Sequence, residues 1–273
     1  MERVVPGCIR FIRPRQTAAV SVTGGACQLD CAHCGGHYLQ QMIPLSSLDA
    51  DHLPPATSWL VSGGCGRDGS VALAEHLERL RELKGSKKFN VHVGLIKAED
   101  VPGVAALADR VSFDFVGDDT TIREVFGIER RVEDYAECYQ NLRRRVPVTP
   151  HICVGLHGGR LRGEGRALEL LKEMGADSLT LIIFTPTPGT RYADCSPPPL
   201  NEVAEIFRQA RRLFPDIPVQ LGCMRPGGQY RDQVDRLALA AGLDAIVQPA
   251  PGARQLAQEL QLTVTWGEEC CGL

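Results

Sequence analysis

The sequence predicts an α/β fold of the parallel kind, a (β/α)8 TIM-type barrel, and three observations carry that prediction. Eight apolar, β-branched runs recur at a nearly regular interval along 273 residues, amphipathic helical patterns stand between them, and several runs are continuous rather than alternating. Continuous runs are what strands covered by helices on both faces require. Eight such units in roughly 250 residues match a parallel barrel better than a doubly wound sheet. The alternative is a partial (β/α)6 barrel with a C-terminal extension, because the last two units are short.

In chain order the strand runs are AAVSV (18–22), SWLVS (58–62), NVHVGLI (90–96), RVSFDFV (110–116), VPVTPHICVGL (146–156), SLTLIIF (178–184), PVQLGCM (218–224) and AIVQPA (245–250). Helical periodicity covers 71–83, with Leu73, Leu77 and Leu80 on one side, and 132–142, with Tyr135, Cys138, Tyr139 and Leu142. Residues 201–213, 234–241 and 253–260 read similarly, and Gly175 and Gly242 fall just past helix ends. No linker, repeat or low-complexity tract divides the chain. The predicted organisation is an N-terminal extension (1–17), a barrel (18–260) and a cysteine-bearing tail (261–273). In a parallel barrel the chemistry sits on loops after the strands' C-terminal ends.

Composition narrows the function. A charged fraction of 23% and a net charge of −3 favour neither disorder nor a phosphate-binding surface, so nucleic acid is not an expected partner. Neither a secretory signal nor an apolar run of about 18 residues is present, which points away from a membrane and toward a cytoplasmic protein. Eleven cysteines, an odd number in a chain this long, do not suit a disulfide framework. In a reducing compartment such thiols stay free, bind metal or do chemistry.

Directly after the first run stands Cys27-Gln-Leu-Asp-Cys31-Ala-His-Cys34-Gly-Gly. Three thiolates on one loop can hold three irons of a [4Fe-4S] cube and leave the fourth open to a substrate or cofactor. A zinc site or three buried thiols is the plainer reading, but zinc draws on two separated pairs and no second C-x2-C or H-x3-H follows.

C-x3-C-x2-C after the first strand of a (β/α) barrel resembles the signature of the radical S-adenosylmethionine superfamily, with His33 at the position that is commonly aromatic. The resemblance implies that the open iron chelates the amino and carboxylate groups of S-adenosylmethionine. Reductive cleavage then gives methionine and a 5′-deoxyadenosyl radical that abstracts hydrogen. Ser62-Gly63-Gly64-Cys65 lies where the superfamily's backbone meets the methionine amino group, with Cys65 in place of the usual Glu. Asp114 and Asp118 lie where polar groups hold the ribose, and Val154-Gly155-Leu156 resembles the segment that packs on adenine. Taken alone, Gly63, Gly64 and Gly155 read as turn geometry.

Thr185-Pro-Thr-Pro-Gly-Thr190 and Leu221-Gly-Cys-Met-Arg-Pro-Gly-Gly228 are similar to the biotin synthase group, which includes lipoyl synthases, methylornithine synthase and the radical maturase of iron hydrogenase. Arg225 matches the arginine that reaches into the barrel in biotin synthase. It joins Cys27, Cys31 and Cys34 among the catalytic candidates, its plainer role being a charge paired in the barrel mouth. Biotin synthase itself is disfavoured, since the cysteines of its second cluster have no counterparts at Val61, around Val91 or at Thr149. A single-chain lipoyl synthase would carry an N-terminal cysteine run and a C-terminal serine motif, both missing.

Sulfur insertion nonetheless needs a sulfur source, and Cys8, Cys270 and Cys271 are candidates for an auxiliary [4Fe-4S] cluster. The short chain and Gly117-Asp-Asp-Thr-Thr121 also resemble subunits of two-component lipoyl synthases. The expectation is therefore sulfur insertion into an octanoyl group on a lipoyl carrier protein or domain. It brings with it a second radical enzyme subunit and a ferredoxin or flavodoxin as electron donor. The alternatives are single-cluster carbon-skeleton or amino-acid chemistry, as in methylornithine synthase or the hydrogenase maturase, and a non-catalytic cluster-binding protein. Cys138 and Cys153 read as packed small hydrophobes. Cys65, Cys195 and Cys223 are left as ligands, hydrogen donors or lining, and His92 and His151 as filler or substrate contacts. Arg143-Arg-Arg145 reads as a solvated helix end.

Overall fold

The computed structural model describes residues 7–51 and 53–273. All eight predicted runs are strands: β2 (Thr17–Ser21), β4 (Ser58–Ser62), β5 (Lys88–His92), β6 (Arg110–Asp114), β7 (Val148–Val154), β8 (Leu179–Ile183), β9 (Val219–Leu221) and β10 (Ala245–Val247). Three more were not expected: β1 (Cys8–Ile12), β3 (Ile43–Pro44) and β11 (Thr263–Gly267). The helices are α1 (Leu77–Lys84), α2 (Val101–Ala105), α3 (Asp119–Thr121), α4 (Val132–Arg143), α5 (Glu164–Glu173), α6 (Leu200–Leu213), α7 (Gly228–Ala240) and α8 (Pro251–Glu259).

Every pairing is parallel, and the strands form one curled sheet in the order β11-β1-β10-β9-β8-β7-β6-β5-β4-β2-β3. This corrects the closed (β/α)8 barrel to a partial one. β10 pairs with β1, through Arg10 beside Ala245, and not with β2, so the ladder stays open between β1 and β2. Chain rather than ladder spans that seam. Only Arg13–Gln16 connect the two strands, and the backbone N–H groups of Arg13 and Gln16 donate to the carbonyls of Gly267 and Glu268. The segments before Ala18 and after Leu260 thus both contribute strands to the sheet.

Strand alternation separates two faces. Trp59, Phe89 and Phe113 point outward and are fully buried, Trp59 stacked on Phe89 at 5.3 Å and Phe113 against Tyr135 and Tyr139 of α4. The concave face is polar. Asn90, Ser112, Thr149, His151, Thr180 and Gln220 are buried there and bonded across strands, for example Ser112 to Asn90 at 3.0 Å and Gln220 to Thr180 at 2.8 Å. Register makes one lateral row of Asp114, His151, Thr180, Gln220 and Ala245. Asp114 and Cys223 keep accessible surface although protein surrounds them, as groups lining a bore do.

Residues 268–273 enter this bore past the strands' N-terminal ends. Glu269 accepts from Thr57 Oγ1 and pairs with Lys88 Nζ at 2.9 Å. The Cys270 N–H donates to Thr17 Oγ1 at 2.8 Å, and the Cys271 carbonyl accepts from Gln220 Nε2 at 2.5 Å. The tail therefore forms a floor, while the opposite end of the sheet carries the cysteine loop. No described helix is long and apolar enough to cross a membrane.

Candidate active site at the mouth of the curled sheet

The loop after β2 brings Cys27, Cys31 and Cys34 together by tight turns. The N–H groups of Cys34 and Gly35 both donate to the Cys31 carbonyl, and Gly35 and Gly36 take positive φ of 48° and 73°. Two later segments clamp the loop. Ala32 N–H donates to the Val125 carbonyl, Tyr192 N–H to the Ala32 carbonyl, and Arg191 to the Asp30 carbonyl at 2.9 Å. Tyr38 shares a hydrogen bond with Thr187 of the TPTPGT stretch at 2.8 Å, which explains that stretch as a clamp on the cysteine loop.

The end of β4 presses on the loop from the other side. A side chain on Gly64 would collide with the Ala26 carbonyl and stand 2.7 Å from Cys27 Cβ, so only glycine permits this approach. Gly64 N–H donates to Thr23 Oγ1, and the Cys65 carbonyl accepts from Gln28 N–H at 2.9 Å and from Cys27 Sγ at 3.8 Å. Ser62 sits at the end of the same strand, its carbonyl taken by Val22 N–H.

All eleven thiols are free. Among the described residues no three His, Cys, Asp or Glu side chains already stand round one point as metal ligands. The donor set nonetheless fits an iron–sulfur cluster. Cys31 and Cys34 share a hydrogen bond, which lowers Cys34 to about 7 and raises Cys31; the Gly36 N–H also lowers Cys34. Burial, followed by the charges of Cys27, Asp114 and Cys34, pushes Cys65 up to about 12. These thiols oppose one another's ionisation, and metal cations among them would relieve that repulsion. His33 lies edge-on to Phe126 at 5.6 Å; burial lowers it to about 4, and its Nδ1 is buried without a partner.

The other anticipated positions divide. Gly155 has φ of 75° and abuts Pro198, while its N–H donates to buried Glu164, which also accepts from Arg162 N–H. Leu156 is buried beside it. Asp118 is engaged locally, accepting from Thr121 N–H and Oγ1 and pairing with Arg162 at 3.0 Å. Asp114 faces the bore without a hydrogen bond or ion pair among the described residues, and burial raises its carboxyl.

Arg225 takes the plainer of its two readings, a paired charge. It makes a two-pronged, fully buried ion pair with Asp235 of α7, and gives its remaining contacts to the carbonyls of Gly222, Val247 and Gln248. The guanidinium turns into the wall of the bore.

The terminal cysteines reach the floor unequally. Cys270 Sγ accepts from Asn90 Nδ2 at 3.3 Å, and Cys271 Sγ lies 3.7 Å from His151 Nε2. Cys8 begins β1 in register with Thr263, and the thiol whose charge acts on both Cys270 and Cys271 is Cys223. Sequence reading missed Asn90, Gln220 and Glu164. The first two were marked by a polar side chain inside an otherwise apolar run.

No protein-family model and no curated protein matches the chain. Solved structures do. Methylornithine synthase (PylB) superposes with a TM-score of 0.62 at 10% identity, over 95% of this chain and 84% of that one. The FeFe-hydrogenase maturase HydG from Carboxydothermus hydrogenoformans gives 0.63 at 12%, over 89% of this chain and 59% of that one. The chain therefore shares its fold with methylornithine synthase and with the hydrogenase maturase. Streptococcus suis SuiB bound to S-adenosylmethionine gives 0.53 at 13% identity, over 78% of this chain and half of the other.

Proposed function

We propose that the chain is a radical S-adenosylmethionine enzyme acting on a small polar substrate in the bore. The observation that carries this reading is the Cys27, Cys31, Cys34 loop at the mouth of a curled parallel sheet, with the Gly64 backbone pressed against it. Cys27, Cys31 and Cys34 would hold the [4Fe-4S] cluster. Ser62, Gly63 and Gly64 would meet the methionine end of S-adenosylmethionine, and His33, Gly155 and Leu156 the adenine. Bound there, cluster and S-adenosylmethionine would supply radical chemistry for hydrogen abstraction. Asp118 would reach a ribose only by exchanging its present partners, Thr121 and Arg162.

The chain's own groups then shape the reaction. The tail closes the floor and restricts water, which protects a reactive species. The rings of His92 and His151 lie 5.4 Å apart and are held neutral by burial, so they offer uncharged hydrogen-bonding nitrogens. Asp114 adds an acid whose proton is retained more readily than usual. A bore lined this way suits a small polar molecule better than an octanoyl chain, which gains most from apolar walls.

Sulfur insertion on an octanoylated lipoyl carrier, with a partner subunit and a ferredoxin or flavodoxin donor, is the second reading. One observation favours it: Cys270 and Cys271 lie on the floor and the charge of Cys223 raises both, a thiol set from which an auxiliary cluster would be built with Cys223 in place of Cys8.

Anaerobic reconstitution followed by dithionite reduction with S-adenosylmethionine tests the main reading. It expects about four irons per chain and release of 5′-deoxyadenosine and methionine, both lost when Cys27, Cys31 and Cys34 are all alanine. Protein that retains four irons yet never cleaves S-adenosylmethionine is a non-catalytic cluster binder. About eight irons, falling to about four in Cys271→Ala, would move the assignment to sulfur insertion.

A further inference from the structure

Cys65 is the thiol that neither the radical signature nor the floor accounts for. Four features fix it beside the triplet. Its carbonyl accepts from Gln28 N–H at 2.9 Å and from Cys27 Sγ at 3.8 Å. The preceding Gly64 stands so close to the loop that an added Cβ would lie 2.6 Å from Cys27 Cα, and one on Gly63 would lie 2.9 Å from the Val22 side chain. An antiparallel bridge to Val71 holds residue 65 from behind. Finally, among the described residues the Cys65 thiol makes no hydrogen bond, while its charge is felt by Cys31 and it feels those of Cys27 and Cys34.

Three thiolates leave one iron of a cube open, and a fourth closes it. We propose that Cys65 is the fourth ligand of the cluster's otherwise open iron in the resting protein, and that S-adenosylmethionine must displace it. This rests on the cluster assignment above. In the exchange the iron–Sγ bond of Cys65 breaks, the amino nitrogen and carboxylate oxygen of S-adenosylmethionine bond to that iron, and the freed thiolate takes a proton from solvent. No electron is transferred. A thiol tethered beside the cluster competes at an effective concentration of about millimolar, enough to rival a soluble cofactor. The cap would keep an oxidisable iron covered until the cofactor arrives.

The experiment uses the full chain reconstituted anaerobically with 57Fe and sulfide, as wild type, Cys65→Ala and Cys65→Ser. Without S-adenosylmethionine, Mössbauer spectra of the wild type should show four thiolate-ligated irons and no distinct site. Cys65→Ala should set about one quarter of the iron apart, as should adding S-adenosylmethionine to the wild type. Ferricyanide should convert Cys65→Ala to a [3Fe-4S] cluster, seen by electron paramagnetic resonance, well before the wild type. A capped state favoured about ten to one also weakens apparent S-adenosylmethionine binding about tenfold, so Cys65→Ala should bind it that much more tightly.

A distinct iron already present in the wild type, or equal loss of iron and equal cofactor affinity in wild type and Cys65→Ala, overturns the proposal. The wild-type spectra with and without cofactor decide even if both variants fail to fold. A chain that takes up no iron at all would instead overturn the cluster assignment on which the proposal rests.

Discussion

The side of the sheet formed by β2 and β4 and the far wall formed by β9, β10 and the tail use polar residues in opposite ways. Near β2 several chemistry-bearing groups are left unspent. Backbone bonds and two glycines position the loop, while the Cys65 thiol, His33 Nδ1 and the nearby Asp114 carboxyl have no hydrogen-bond partner among the described residues. On the far wall such groups are consumed: Arg225 by Asp235, Gln220 by Thr180 and Cys271, and Asp235 also by the Ala250 N–H. A residue type that signals function in a sequence does so in the fold only where its bonding capacity stays open.

Replacing Arg225 with Met tests the far wall and carries the largest expected effect. It strands a fully buried carboxylate, and breaking such a pair by removing one partner costs roughly 3–5 kcal/mol. Urea unfolding should show that loss while iron per folded chain stays at the wild-type value. A stable Arg225→Met protein lacking only turnover would return Arg225 to the bore and erase the contrast. Gly64→Ala tests the other side with a smaller stability effect. The added methyl meets backbone that cannot step aside, and overpacking of this sort costs about 1–3 kcal/mol. Here iron retention should fall with stability, because the displaced neighbour is Cys27. Gly25→Ala, on the same loop with open space around it, should change neither.

The parts of the molecule legible in its sequence are the ones whose partners are near in the chain or whose pattern repeats. The eight long runs announce themselves, and three cysteines within eight residues form a loop motif whatever surrounds it. β1 and β11 were passed over because they are short and carry Arg10, Thr263 and Thr265 where an apolar run was sought. Their pairing joins residues some 250 positions apart, as Cys8 with Thr263. Cys65 reaches Cys27 across 38 residues, a closeness that only the β2–β4 register creates. Arg225 was legible as a charge that pairs, but its partner was not. That partner is a fully buried aspartate ten residues on, within α7.

The smallest expected effect asks whether the floor is sealed. Burial and the neighbouring His92 push His151 down to about 3, and its Nε2 lies 3.7 Å from Cys271 Sγ. An unfolded histidine takes up its proton near pH 6.5, which the folded protein refuses until the pH falls through the lowered value. Stability from this residue is therefore present above about pH 6.5 and declines as the pH drops, by at most about 1.4 kcal/mol per pH unit. Asp114 and Glu164, with raised carboxyls, pull the other way, but they do so equally in a His151→Gln protein. Urea midpoints measured from pH 7 to pH 4.5 should therefore fall more steeply for the wild type than for His151→Gln. Parallel curves would mean that His151 titrates as it does in water. Water would then reach the bore past Cys271, the tail would not be a floor, and the far wall would be as open as the cysteine side.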